Sequence, residues 1–173
     1  MKRLLLTCTF FLYFGLSYAQ TTLDVFDIGR KGTLDQAKEK IKENPESFNV
    51  VNDEGYSPLL LACYRGNNEV AKLLIKSGCN INGNSKMGTP LMATIVKKNN
   101  EIAKLLIERK ADVNACDSNG TTALIYAVQF QNVMTLKLLL ENKVNKIHRD
   151  KEGKTAFEHA VFSGNEEIIN LLK

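Results

Sequence analysis

Tryptophan is absent from the 173 residues, histidine occurs twice, and aromatics make up only 8%. Three prolines and eleven glycines exclude collagen-like and proline-rich low-complexity chains. Basic residues number 23 against 19 acidic ones, so the formal charge is only +4. That balance excludes a strongly basic nucleic-acid binder and a polyanionic tail. No apolar run reaches the roughly 20 residues of a membrane-spanning helix; the run from Leu4 to Leu16 is shorter. What remains is 44% apolar and 24% charged, the composition of a globular chain able to bury a core. The length suits one domain or a short repeat array.

Met1-Lys2-Arg3 places two cations ahead of that apolar run, and Ser17-Tyr18-Ala19 then offers the small residues of a cleavage position before Gln20. Charged start, short apolar stretch and small-residue exit describe a secretory signal peptide over residues 1–19. The alternative is a buried or anchoring N-terminal helix. Export, to the periplasm or the medium, is therefore expected, with no membrane insertion after cleavage. Removal of the segment takes away Lys2, Arg3, Cys8 and no acid, leaving a nearly neutral chain. Cys63, Cys79 and Cys116 remain, an odd number with neither redox nor zinc spacing. Three free thiols are expected, Cys63 as a small buried hydrophobe; a Cys79–Cys116 bridge is the alternative.

Four stretches line up within the rest: Gly55-Tyr56-Ser57-Pro58-Leu59, Met87-Gly88-Thr89-Pro90-Leu91, Gly120-Thr121-Thr122-Ala123-Leu124 and Gly153-Lys154-Thr155-Ala156-Phe157. Their hydroxyl residues stand at 57, 89, 122 and 155. Small residues follow at Ala62, Thr94, Ala127 and Ala160. Next come Gly66-Asn67, Lys98-Asn99, Gln131-Asn132 and Gly164-Asn165, and then a Leu-Leu pair in each copy. Ser57 and Thr89 have the side chain of an N-cap, and the proline after each tolerates the first helical position. A short first helix ends at the Gly-Asn, where glycine can take the left-handed conformation. A second helix carries Val70, Leu73 and Leu74 on one face. One such pair cannot bury its own apolar face, so copies must stack.

These residues resemble the ankyrin repeat, over about residues 52–173, with copies at about 52–83, 84–116, 117–149 and 150–173. The resemblance implies an all-α solenoid of stacked helix-turn-helix units joined by β-turn or hairpin loops. Residues 20–51 read as a leader and a degenerate N-terminal capping repeat, with helices near Phe26–Gly32 and Leu34–Ile41 and a stop at Pro45. The family's histidine after T-P-L is replaced by Leu60, Met92, Ile125 and Glu158, so its hydrogen bonds to neighbouring loops are expected to be missing. Lys98 and Gln131 stand where glycine ends the first helix, and Lys110 departs from the family's last motif at its glycine. A Cβ in the left-handed region is costly.

No catalytic constellation emerges. His148 and His159 lie in no metal or nucleophile pattern; the first reads as a solvated turn, the second as packed or half-exposed on a repeat helix. Acids are scattered, no glycine-rich phosphate loop occurs, and no cofactor or metal is expected. Asn119-Gly120-Thr121 matches a glycosylation tripeptide at a turn tip, a pattern common by chance. The resemblance implies binding of another protein through turn tips and the exposed side of the first helices, which form a concave face. Carried over, those positions give Tyr56, Lys86, Asn119 and Lys154 on the tips, and Tyr64, Arg65, Lys97, Phe130 and Phe162 on the helices. Tyrosine and arginine are favoured interface anchors. Two functional readings follow: an exported, non-catalytic module that binds or shields a protein, monomeric by itself, or a secreted effector or toxin-neutralising protein. An enzyme with an unrecognised site is a third, remote reading.

Overall fold

The computed structural model describes residues 23–173; residues 1–19, read from the sequence as a signal peptide, lie outside them. Among the described residues, ten helices form five antiparallel pairs: α1 Val25–Lys31 with α2 Leu34–Glu43, α3 Pro58–Arg65 with α4 Asn68–Lys76, and α5 Pro90–Val96 with α6 Asn100–Glu108. The last two pairs are α7 Ala123–Gln129 with α8 Val133–Leu140, and α9 Ala156–Ser163 with α10 Glu166–Leu172. First helices stack in one row (α1, α3, α5, α7, α9), and α2, α4, α6 and α8 stack in a second. The architecture is the expected all-α solenoid. Among the described residues, no helix is long and apolar enough to cross a membrane.

The same local chemistry builds each unit. Ser57, Thr89, Thr122 and Thr155 are N-caps, their hydroxyls accepting the N–H of Leu60, Met92, Ile125 and Glu158 at 3.1, 3.4, 3.4 and 3.2 Å. Each such cap contributes about 1 kcal/mol. Asn99, Asn132 and Asn165 cap the second helices of their units in the same way. Asn67 differs: its Nδ2 donates to the carbonyls of Ile28, Gly29 and Gly32, fastening the leading pair to the first full unit. Thr33 and Gln36 close a capping box at the start of α2, and the helix stops at Glu43, two residues before Pro45.

Between the rows runs one continuous core. Leu59, Leu91 and Leu124 occupy equivalent places and are buried, as are Leu74, Leu106 and Leu139. Cys63 is fully buried and its thiol is pushed up to about 12 by desolvation. Cys79 is buried and Cys116 half-buried, and all three thiols are free, so the Cys79–Cys116 bridge does not form.

Lys98 and Gln131 adopt left-handed backbone with φ of 53° and 49°, in the place where Gly66 and Gly164 have 75° and 69°. Lys110 and Lys143 repeat this at the ends of the second helices, with φ of 67° and 56°. An L-residue pays roughly 1 kcal/mol there. Lys98→Gly and Gln131→Gly are each expected to raise stability by about that amount, less the extra entropy of glycine in the unfolded chain. Thermal unfolding followed by circular dichroism checks this; unchanged or lower melting temperatures for both would contradict it.

Neighbouring loops are tied despite the missing histidines. Asn49, Asn82 and Asn114 accept the N–H of Asn80, Asp112 and Asn145 at 2.8, 2.9 and 2.7 Å, a ladder from unit to unit. His148 is no solvated turn residue: it is half-buried, with Nε2 2.8 Å from the Gly120 carbonyl of the preceding tip.

Candidate protein-interaction surface

Three of the four tips are turns closed on their own first residue, and in the other Ser85 Oγ accepts the Met87 N–H while Asn84 Nδ2 donates to the Cys116 carbonyl. Asn52 Oδ1 accepts the N–H of Glu54 and Tyr56, Asp117 Oδ1 those of Asn119 and Thr121, and Asp150 Oδ1 those of Glu152 and Lys154. Tips also bind one another: Ser118 Oγ donates to the Lys86 carbonyl at 2.9 Å, and the Lys151 N–H to the Asn119 carbonyl at 2.9 Å. The row of tips is thus pre-ordered by backbone bonds, while Lys86, Asn119 and Lys154 stay exposed.

In the last unit the second carboxylate oxygen of Asp150 lies 2.6 Å from Nε2 of His159, which is packed as expected. Burial would push this carboxyl up, but hydrogen bonds from His159 and from the Lys154 and Glu152 N–H groups hold it below its ordinary 3.8. The sign follows: a depressed carboxyl stabilises the fold fully above 3.8 and loses that contribution as pH falls through the folded value. Asp150→Asn is expected to lower the melting temperature at neutral pH and to flatten its decline in acid. Parallel acid limbs for the two proteins would contradict this.

Inside the row of first helices, α3, α5 and α7 enclose a groove of about 430 Å³. Leu60, Leu61, Ala93 and Val96 supply apolar walls, and Tyr56, Tyr64, Arg65, Met87, Tyr126 and Phe130 complete the lining. The Tyr56 hydroxyl reaches Met87 Sδ at 3.2 Å. Tyr126 and Phe130 stack with centroids 6.0 Å apart and planes at 24°. The Tyr126 hydroxyl donates to Asp117 Oδ2 at 2.9 Å, and burial together with that carboxylate pushes the phenol up to about 12. It therefore remains a neutral donor, locked by the acid that also closes the tip. Lys97 Nζ sits 4.4 Å from the Tyr64 ring centroid, a cation–π contact at the groove rim.

Of the nine residues picked out from the sequence, Tyr56, Tyr64, Arg65 and Phe130 line the groove, and Lys97 adjoins it through Tyr64. Phe130 is 37% exposed, so it neither tucks into the core nor stands free. Lys86, Asn119, Lys154 and Phe162 do not line it. Phe162 is 89% exposed, with Lys154 Nζ 5.7 Å from its ring centroid, on the last unit. Sequence reasoning missed Tyr126, Met87 and the aliphatic walls. The signal was present: Leu61, Ala93 and Tyr126 each stand four residues past their hydroxyl, one helical turn below the cap, so they share a face.

Two rows of stacked helices, joined by pre-ordered tips and flanking a groove, define a helical-repeat solenoid with a surface suited to a macromolecular partner. The chain matches the family model for ankyrin repeats, three copies, over residues 28–117 and 95–173. It belongs to the ankyrin-repeat family, whose domains are typically non-catalytic and bind proteins. It is also similar to the ankyrin repeat and SAM domain-containing protein 6 of Rattus norvegicus, 30% identical over 151 residues. That match covers 86% of this chain but only 14% of the rat protein.

Proposed function

We propose that this protein is an exported, non-catalytic module that binds or shields one protein partner through the face formed by its first helices and tips. The observation that carries the reading is the groove across α3, α5 and α7, where aromatic and aliphatic side chains gather beside Arg65 and Lys97. Exposed apolar surface of this kind is costly unless something covers it. The tips are held by hydrogen bonds from unit to unit, so binding would order little additional chain. A few aromatic and arginine anchors would then supply most of the affinity. Export rests on Lys2, Arg3, the apolar run and Ser17-Tyr18-Ala19. In an envelope the module would hold or protect an exported protein.

The test is affinity capture from the envelope and the medium of the native host, beside a Tyr64→Ala/Phe130→Ala/Phe162→Ala variant checked to remain folded. One protein retained by the native chain and lost with the variant is the expected result. Equal retention would move the site off this face, and no retention from either fraction would remove the binding role. Retention of the protein itself by gently washed cells would favour the envelope reading, and its recovery in medium the secreted one.

A further inference from the structure

The groove is apolar along its walls and basic at one end, and we infer that its occupant is an acidic–hydrophobic segment of a protein: large apolar side chains followed by carboxylates. This rests on the reading that the groove holds a protein partner. Helices α3, α5 and α7 carry no aspartate or glutamate at all. Their C-terminal ends carry Arg65 at the end of α3 and Lys97-Lys98 just after α5.

Arg65 and Lys97 differ from three lysines of the second row. In the second row, Lys72 pairs with Glu69 and Glu101 at 3.1 and 2.9 Å, Lys104 with Glu108 at 3.9 Å, and Lys137 with Glu167 at 3.2 Å. Among the described residues, neither Arg65 nor Lys97 has a carboxylate within ion-pair reach. Lys97 is instead held over the Tyr64 ring, which fixes its position without neutralising it. A ligand that covered this end without a carboxylate would strip water from two unpaired cations. One bearing lysine there would also be repelled.

Nearby acids do not fill the role. Asp117 spends both oxygens on the Asn119 and Thr121 N–H groups and the Tyr126 hydroxyl. Asp53 and Glu54 lie on the tip before α3, separated from Arg65 by the length of that eight-residue helix, about 12 Å. They stand at the opposite end of α3 from Arg65, which sets the occupant's direction, with its carboxylates at the Arg65–Lys97 end. Nucleic acid would need a run of phosphate-binding cations, which this groove does not offer.

The experiment is a phage-display selection from a random twelve-residue library on three proteins: native, Arg65→Glu/Lys97→Glu, and Val96→Arg, which fills the groove. Arg65 and Lys97 are exposed, so the first variant should fold normally; Phe130→Ser replaces the second if circular dichroism shows it unfolded. The expected native pool joins Leu, Ile or Phe to Asp or Glu. Individual peptides should bind the charge-reversed variant at least about tenfold more weakly and lose binding to Val96→Arg. An apolar pool without acid enrichment, still lost with Val96→Arg, would overturn the acidic partner and leave the groove as a binding site. A pool indifferent to Val96→Arg, or no enrichment over an unrelated protein, would overturn both.

Discussion

Leu91→Ala is expected to lower the free energy of unfolding by about 2–5 kcal/mol, whereas Phe157→Ala, at the same place in the last unit, should cost less than about 2 kcal/mol. The difference is one of coverage. Leu59, Leu91 and Leu124 are buried against the next unit, while Phe157 is 37% exposed on the final pair. Val161 repeats the comparison: it is 52% exposed where Cys63, Ile95 and Val128 are buried. A repeat array gains much of its stability from neighbour interfaces, so truncation in the second unit weakens contacts on both sides, and truncation in the last weakens one. Urea unfolding with matched m-values measures both costs. Equal losses would mean that the end unit is packed as the interior ones are.

Gly29→Ala should be equally informative and opposite to expectation for a helix. Alanine in mid-helix ordinarily stabilises by about 0.5–1 kcal/mol relative to glycine. At this position a Cβ would stand 2.5 Å from the Pro58 carbonyl oxygen and 3.1 Å from its carbon. Those atoms are backbone at the start of α3, so relief requires that α1 move away from α3. The expected net cost is about 1–3 kcal/mol. Faster amide hydrogen exchange should be confined to α1 and α2, because the shift also strains the Asn67 bonds to Ile28, Gly29 and Gly32. Exchange unchanged in α1 and α2, with wild-type stability, would show that the two helices can separate without penalty.

The fold was largely legible because each unit restates the same physical instructions. Hydroxyl caps and paired leucines recur at fixed offsets in every copy, with proline at the first helical position in two of them. Even Lys98 and Gln131 could be placed in left-handed backbone, since the repeat fixed their register. The loop ties were not legible. Histidine was known to be absent after T-P-L, but nothing local announces that Asn49, Asn82 and Asn114 form a ladder or that His148 bonds the Gly120 carbonyl.

Part of the candidate surface was legible for a related reason. Tip and helix-end offsets located Tyr56, Tyr64, Arg65 and Phe130, which face one groove. The same offsets gave Lys154 and Phe162, but among the described residues no further unit closes a groove beside them, and Phe162 is exposed. Tyr126 escaped because its role depends on Asp117, nine residues earlier, whose two oxygens serve the tip and the ring at once. Local periodicity reports which face a side chain occupies. It does not report which neighbour completes the pocket.

Hydrogen exchange of the protein with and without its captured partner tests the central claim most directly. Protection concentrated in α3, α5, α7 and the tips between them, with α4, α6 and α8 unchanged, is the expected outcome. Protection confined to α4, α6 and α8 would contradict the account and place the binding face on the opposite row.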